Sequence, residues 1–152
     1  MSNHVLRTTA FFLCLVLIFL AILSKFSGQV HAAPPQGFQT QVVIGSGLEG
    51  ATAFRIAPDN RIFILQRTGE VKVWDNNTLY NFITLPSAAS GDRGLIGIAF
   101  DPDFITNKLV YFYYTAVGPG GNSTDGPFYN YLVKVNASTN QGGTPQIIFD
   151  TE

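Results

Sequence analysis

Residues 91–104 read GDRGLIGIAFDPDF. An acid and a base, Asp92 and Arg93, stand between Gly91 and Gly94 and lead directly into a short apolar run. A charged pair in a glycine loop has two readings: groups that face a ligand or cofactor, or a solvated turn. Asp101 and Asp103 flank Pro102 and raise the question of a calcium loop. Calcium takes 6–8 oxygen ligands, and two neighbouring carboxylates at a Pro-Asp turn read instead as turn caps. Trp74, Tyr111, Tyr113 and Tyr114 have the chemistry of a sugar-stacking platform. Aromatics spaced along strands are read first as packing between sheets. Gly45, Gly47 and Gly50 are not a dinucleotide fingerprint, because no helical pattern follows them.

The elements that must carry these residues read as strands. Runs with period-2 or continuous apolar character occupy residues 40–44, 51–57, 61–66, 70–75, 79–85, 95–101, 109–116, 129–136 and 146–149. Turn chemistry separates them: Pro58-Asp59-Asn60, Thr68-Gly69, Asp75-Asn76-Asn77, Pro86-Ser87 and a long loop over 117–126. A repeat runs through the pattern. AFRIAPD at 53–59 aligns with GIAFDPD at 97–103, and Pro58 and Asp59 recur 44 positions later as Pro102 and Asp103. Three further strands follow each copy. Four-stranded units recurring at this period point to an all-β chain of the β-propeller type, with a tandem-hairpin sandwich as the rival. In a blade the first strand lines the axis and packs on both faces, which suits residues 95–100. Asp92 and Arg93 then fall at the rim of the central pocket.

The totals agree with sheet rather than helix. The chain has 152 residues, with 13% aromatic, 12% charged and a net charge of -1. The charge gives no electrostatic case for nucleic acid. Residues 1–32 read as a signal-peptide helix: Arg7, an apolar stretch over 10–23, then Val30-His31-Ala32 before the cut. The apolar stretch is shorter than the roughly 20 residues of a membrane span, so no stable span is expected after cleavage, and the chain is expected to be secreted or periplasmic. The alternative is an uncleaved N-terminal anchor. Cys14, His4 and His31 all lie in this segment, and the remainder carries seven Lys/Arg against ten Asp/Glu. The mature chain thus has no disulfide framework and no imidazole for base or metal chemistry. Residues 33–38, beginning at Ala33-Pro34-Pro35, read as a linker. Three Asn-x-Ser/Thr sequons begin at Asn76, Asn122 and Asn136.

GDRGLIGIAFDPDF followed by NKLVYFYYT resembles the N-terminal region of the glucose/sorbosone dehydrogenase family, the soluble quinoprotein sugar dehydrogenases and their relatives. GLEGATAFRIAPDNRIFILQRTGEVKVWD at 47–75 is similar to that family's first blade, and YNYLVKVNAS to the third strand of its second. The resemblance implies a six-bladed propeller, of which residues 39–152 would supply about the first two four-stranded blades, near 51–85 and 95–150. It implies a sugar substrate, an electron acceptor, pyrroloquinoline quinone (PQQ) and calcium. An aldose is oxidised at C1 by hydride transfer to the quinone while a histidine takes the anomeric proton, and the protein supplies orientation and charge.

Carried over by position, the resemblance marks Asp92 as the cofactor- or substrate-facing residue, with Arg93 beside it. Glucose-oxidising members place a glutamine where this chain has Asp92. No catalytic residue and no metal ligand is carried over, because no histidine follows residue 31. Six units at this period need about 260 residues, so the chain reads as an N-terminal portion, inactive by itself. Open sheet faces would make it self-associate. The competing reading is a secreted, non-enzymatic propeller that binds protein or carbohydrate. A propeller hydrolase of the lactonase kind would need inward-facing acid and amide ligands where Ile98 and Phe100 stand.

Overall fold

The computed structural model describes residues 33–151. The leader expected over 1–32 lies outside them. Within residues 43–151 the chain builds two four-stranded antiparallel sheets and one short helix. The first sheet is β1 (Ala51–Ile56), β2 (Ile62–Gln66), β3 (Glu70–Asp75) and β4 (Thr78–Thr84). The second is β5 (Leu95–Phe100), β6 (Leu109–Asn122), β7 (Gly126–Asn136) and β8 (Gln146–Asp150), with α1 (Phe104–Asn107) between β5 and β6. Each sheet runs in sequence order, every strand paired with the next. No helix among the described residues is long and apolar enough to cross a membrane.

Local chemistry explains the register. Asn76 and Asn77 both take positive φ, 46° and 60°, between the paired residues Asp75 and Thr78. That is the two-residue hairpin geometry whose twist matches the flanking strands. Alternation then sorts the side chains. Phe63, Leu65, Val71, Val73 and Phe82 of the first sheet are buried against Val110, Phe112, Tyr114, Tyr131, Val133 and Val135 of the second. The rings of Phe63 and Phe100 meet edge to face at 5.2 Å, and those of Phe82 and Phe112 lie 6.3 Å apart. Tyr114 stacks on Tyr131 at 5.5 Å inside the same layer, so this tyrosine packs between the sheets, as its place on a strand suggests. The inner strands also touch: the Thr52 hydroxyl donates to the Leu95 carbonyl at 2.7 Å.

Three expectations are corrected. Residues 40–44 form no strand; they have no ladder partner, and Val43 and Ile44 instead line an apolar groove on the first sheet. The expected long loop over 117–126 is the continuation of β6 and β7 into a hairpin that turns at residues 123–125. The Asn122 side-chain oxygen accepts the amides of Thr124 and Asp125 at 2.8 Å and closes that turn. The run at 95–100 is covered on one face only: Leu95 is fully buried, Ile96 is 49% exposed and Ala99 is exposed. The first sheet covers one side of β5 and solvent meets the other.

Candidate functional site

Antiparallel order brings three connections to one end of the two sheets: the β2–β3 turn, the β4–β5 loop over 85–94 and the β6–β7 turn. The loop is fixed before it reaches its charged pair. Leu85 and Ala88 are buried, and their amides donate to the carbonyls of Gly69 and Thr115 at 2.9 and 2.8 Å. The Arg67 guanidinium donates to the carbonyls of Ala89 and Gly91 at 2.6 and 3.1 Å. Gly94 closes the loop at φ +144°, where a Cβ would lie 2.5 Å from Arg67 Cγ and 2.8 Å from the Arg67 carbonyl oxygen. No side chain fits there, so the glycine clamps the loop onto the β2–β3 turn.

Asp92 and Arg93 separate at the tip. Asp92 is exposed, and its carboxylate holds no hydrogen bond or ion pair among the described residues. The Arg93 guanidinium turns onto the extended hairpin, its central carbon 3.6 Å from the centre of the Phe128 ring. Its Nη2 donates to the Ser90 hydroxyl at 2.8 Å, and that hydroxyl donates to the Ser123 carbonyl at 2.8 Å. The Nε is buried without a partner. Cation–π stacking of this kind supplies about 0.5–2 kcal/mol, more as the contact is desolvated. The pair is thus one free acceptor and one tethered cation rather than an ion pair. Reading by position singled out Asp92 and Arg93 but gave no sign of Arg67, which bonds the loop carbonyls, or of Ser90 and Phe128, which hold the Arg93 guanidinium. Phe128 lay behind a stretch taken for a loop.

The opposite end carries a polar cluster with a different role. Arg61 is 7% exposed. Its guanidinium donates to both oxygens of Asp59, to the carbonyls of Ala137 and Thr139 and to the side chain of Asn140. Asn140 in turn donates to Asp75 at 2.8 Å, and Lys108 lies 3.5 Å from Asp59. One guanidinium therefore ties the β1–β2 turn to the β7–β8 loop. Partial burial pushes the Asp59 carboxyl up, but hydrogen bonds and charge from Arg61, with Lys108, more than offset this and hold it below the ordinary 3.8. A carboxyl lowered by folding stabilises above its unfolded value and loses that contribution as acid protonates it. Stability is therefore expected to fall as pH drops from about 5 through 3.8 and below. Urea titrations across that range check this, and Asp59→Asn is expected to flatten the fall.

The Asp101 carboxylate accepts the Tyr111 hydroxyl at 2.6 Å, the Asn107 amide at 2.8 Å and the Asp103 backbone amide at 2.9 Å. These bonds lower the Asp101 carboxyl and, from the other side, raise the Tyr111 hydroxyl. They make Asp101 a turn cap, and Tyr111 is engaged with it. Tyr113 lies beside Gly97 on the outer face of the second sheet, and Trp74 sits opposite Ile62 and Leu79 on that of the first. The four aromatics do not converge on one surface.

Comparison with known proteins agrees with this architecture. Residues 48–151 match the sequence profile of the family described as glucose/sorbosone dehydrogenase. The quinoprotein glucose dehydrogenase B of Acinetobacter calcoaceticus is 28% identical over 142 residues, which is 88% of this chain and 29% of that protein. A crystal structure of an oxidoreductase (glucose dehydrogenase) from Thermus thermophilus matches 69% of this chain and 29% of its own at 27% identity, with a TM-score of 0.59. The PQQ-bound aldose sugar dehydrogenase of Streptomyces coelicolor matches 79% and 36%, at 22% identity and a TM-score of 0.58, which is a likeness of fold. The chain spans about a third or less of the length of these relatives.

Proposed function

The chain belongs to the glucose/sorbosone dehydrogenase family, and on that premise we propose that its two sheets are blades of a secreted, PQQ-dependent, aldose-oxidising propeller. In this reading Asp92 and Arg93 face the sugar and the cofactor. The observation that carries it is the free Asp92 carboxylate, presented to solvent by a loop that Gly94, Arg67 and Arg93 fix on three sides. A carboxylate only accepts hydrogen bonds, whereas the glutamine of glucose-oxidising relatives also donates. Asp92 therefore suits a ligand that points hydroxyl donors at it, as a sugar does.

The charges at this end fit a carboxylate-bearing planar cofactor. Arg67 and Arg93 bring two guanidinium groups to one loop, and the Nε of Arg93 has no acceptor of its own. PQQ, when bound, supplies the hydride acceptor. What this chain supplies is a fixed cation in Arg93, a hydroxyl acceptor in Asp92 and a rigid rim. Among the described residues no three carboxylate, histidine or cysteine groups converge to hold a metal, and no calcium ligand or catalytic base is assigned to them.

Isothermal titration of the protein with aldoses, in the presence of PQQ and calcium, tests this. Asp92→Ala is expected to weaken sugar binding tenfold to a hundredfold, about 1.5–3 kcal/mol for a charge-assisted hydrogen bond. Unchanged affinity would remove Asp92 from the site. Sugar bound equally well without the quinone would favour a carbohydrate-binding propeller over a dehydrogenase.

A further inference from the structure

Asp92 and Arg93 leave the same turn, which the Arg93 amide closes on the Ser90 carbonyl at 3.3 Å. Opposite charges on adjacent residues of a surface loop have an ion pair within reach. An exposed pair of this kind is weak, because water screens it and two side chains lose freedom in forming it. The guanidinium therefore goes to whichever partner offers more.

That partner is Phe128. β6 and β7 pair Val117 with Phe128 and Asn122 with Gly126, so Phe128 stands on the hairpin close to its last rung. Gly126 leaves the ring its room: a Cβ there would lie 2.7 Å from Phe128 Cδ2 and 2.9 Å from its Cε2. The ring receives the Arg93 guanidinium at 3.6 Å from its centre, the Ser90 hydroxyl accepts from Nη2 at 2.8 Å, and Nε is buried. A desolvated cation is held more strongly on a ring face than one in water. Stack and hydrogen bond together outweigh the exposed ion pair. The Asp92 carboxylate is left without a hydrogen bond or ion pair among the described residues.

We propose that Phe128 is a positioning residue for the Asp92 loop: its ring draws the Arg93 guanidinium away from Asp92 and keeps that carboxylate open to the hydroxyl groups of a sugar. Phe128 touches no ligand in this role and acts through Arg93. Without the ring the balance reverses, because Asp92 becomes the strongest partner left to the cation. A sugar must then break that ion pair before it reaches the carboxylate. The inference rests on the reading of Asp92 as the sugar's acceptor, but the place of Arg93 can be read with no sugar present.

NOE spectroscopy without sugar, and isothermal titration with aldoses in the presence of PQQ and calcium, test it on the protein and its variants. In the unmodified protein the Arg93 δ protons are expected upfield, shifted by the ring, with cross-peaks to Phe128. In Phe128→Leu they are expected to return to ordinary positions and to gain cross-peaks to the Asp92 β protons. Sugar affinity is expected to fall about threefold to fivefold, the cost of breaking a surface ion pair. Phe128→Tyr keeps the ring face and is expected to restore both readouts. On an Asp92→Ala background Phe128→Leu is expected to cost nothing further. Phe128→Met replaces Phe128→Leu if circular dichroism of the latter shows loss of sheet. An Arg93 that stays away from Asp92 in Phe128→Leu overturns the proposal. So does an equal loss of affinity on the Asp92→Ala background, which is what a merely structural role of the hairpin would give. If Asp92→Ala itself leaves sugar affinity unchanged, the sugar reading fails, and the Arg93 cross-peaks alone decide whether Phe128 holds the guanidinium off Asp92.

Discussion

Phe63→Ala is expected to remove about 3–5 kcal/mol of stability, the cost of truncating a buried phenylalanine and leaving a cavity. Phe63 is fully buried. Its ring meets Phe82 of its own sheet at 5.1 Å and Phe100 of the other at 5.2 Å, both edge to face. The Arg61 guanidinium lies 5.3 Å from its centre. Truncation thus removes contacts within the first sheet and between the sheets together. Both sheets should lose stability in one transition, which urea unfolding followed by tryptophan fluorescence, from Trp74 of the first sheet, and by circular dichroism would show as coincident curves at a lower midpoint. Ile105→Ala, at a position 59% exposed, is expected to stay within about 0.5 kcal/mol. A Phe63→Ala chain no less stable than that control would mean that the sheets do not share this core.

Arg61→Met is expected to cost about 3 kcal/mol, because removing one member of a buried ion pair strands its partners. Methionine keeps much of the apolar stem, so the loss isolates the guanidinium. Asp59 would keep the backbone amide of residue 61 at 3.4 Å and Lys108 at 3.5 Å, and the carbonyls of Ala137 and Thr139 would each lose a donor. Arg61→Lys is expected to recover little, since an ammonium cannot reach four separate acceptors as the fork does. The same change should weaken the acid sensitivity, because Arg61 is the main group holding the Asp59 carboxyl down. Urea midpoints at pH 7 and pH 3.5 for both variants read the two effects. A stable Arg61→Met chain with unaltered pH dependence would reduce the cluster to a surface feature. Phe63 and Arg61 are in contact, so their costs are not expected to add.

The strands were legible because their periodicity and turns agree. Residues 70–75 form β3 as expected, and β1, β2, β4, β5 and β8 start or end within one residue of their apolar runs. The hairpin over 117–128 was hidden by its own composition. Gly118, Pro119, Gly120 and Gly121 read as punctuation, yet a Cβ on Gly118 would lie 1.9 Å from the Tyr129 ring. There the glycine admits a neighbouring aromatic within a strand instead of ending one. Residues 40–44 failed in the opposite sense, with strand-like alternation and no neighbour to pair with.

At the site, residue types were visible and their relations were not. Asp92 beside Arg93 suggested a pair, but the guanidinium is drawn to Phe128, 35 positions away, just beyond the stretch 117–126 that local pattern assigned to a loop. Arg67 gave no signal, since its role is to bond the carbonyls of a loop more than twenty residues further on. Tertiary partners of this kind have no period and no motif.

Everything proposed for the loop requires that the two sheets share one core and that Arg93 lies on Phe128, leaving Asp92 free. Aromatic-resolved NOE spectroscopy of the folded protein reads both at once. Cross-peaks between the ring protons of Phe63 and Phe100, and from the Arg93 side chain to the Phe128 ring, are expected from separations of 5.2 and 3.6 Å. A spectrum that connects Phe63 to Phe82 but not to Phe100, with Arg93 contacting Asp92 in place of Phe128, would contradict them.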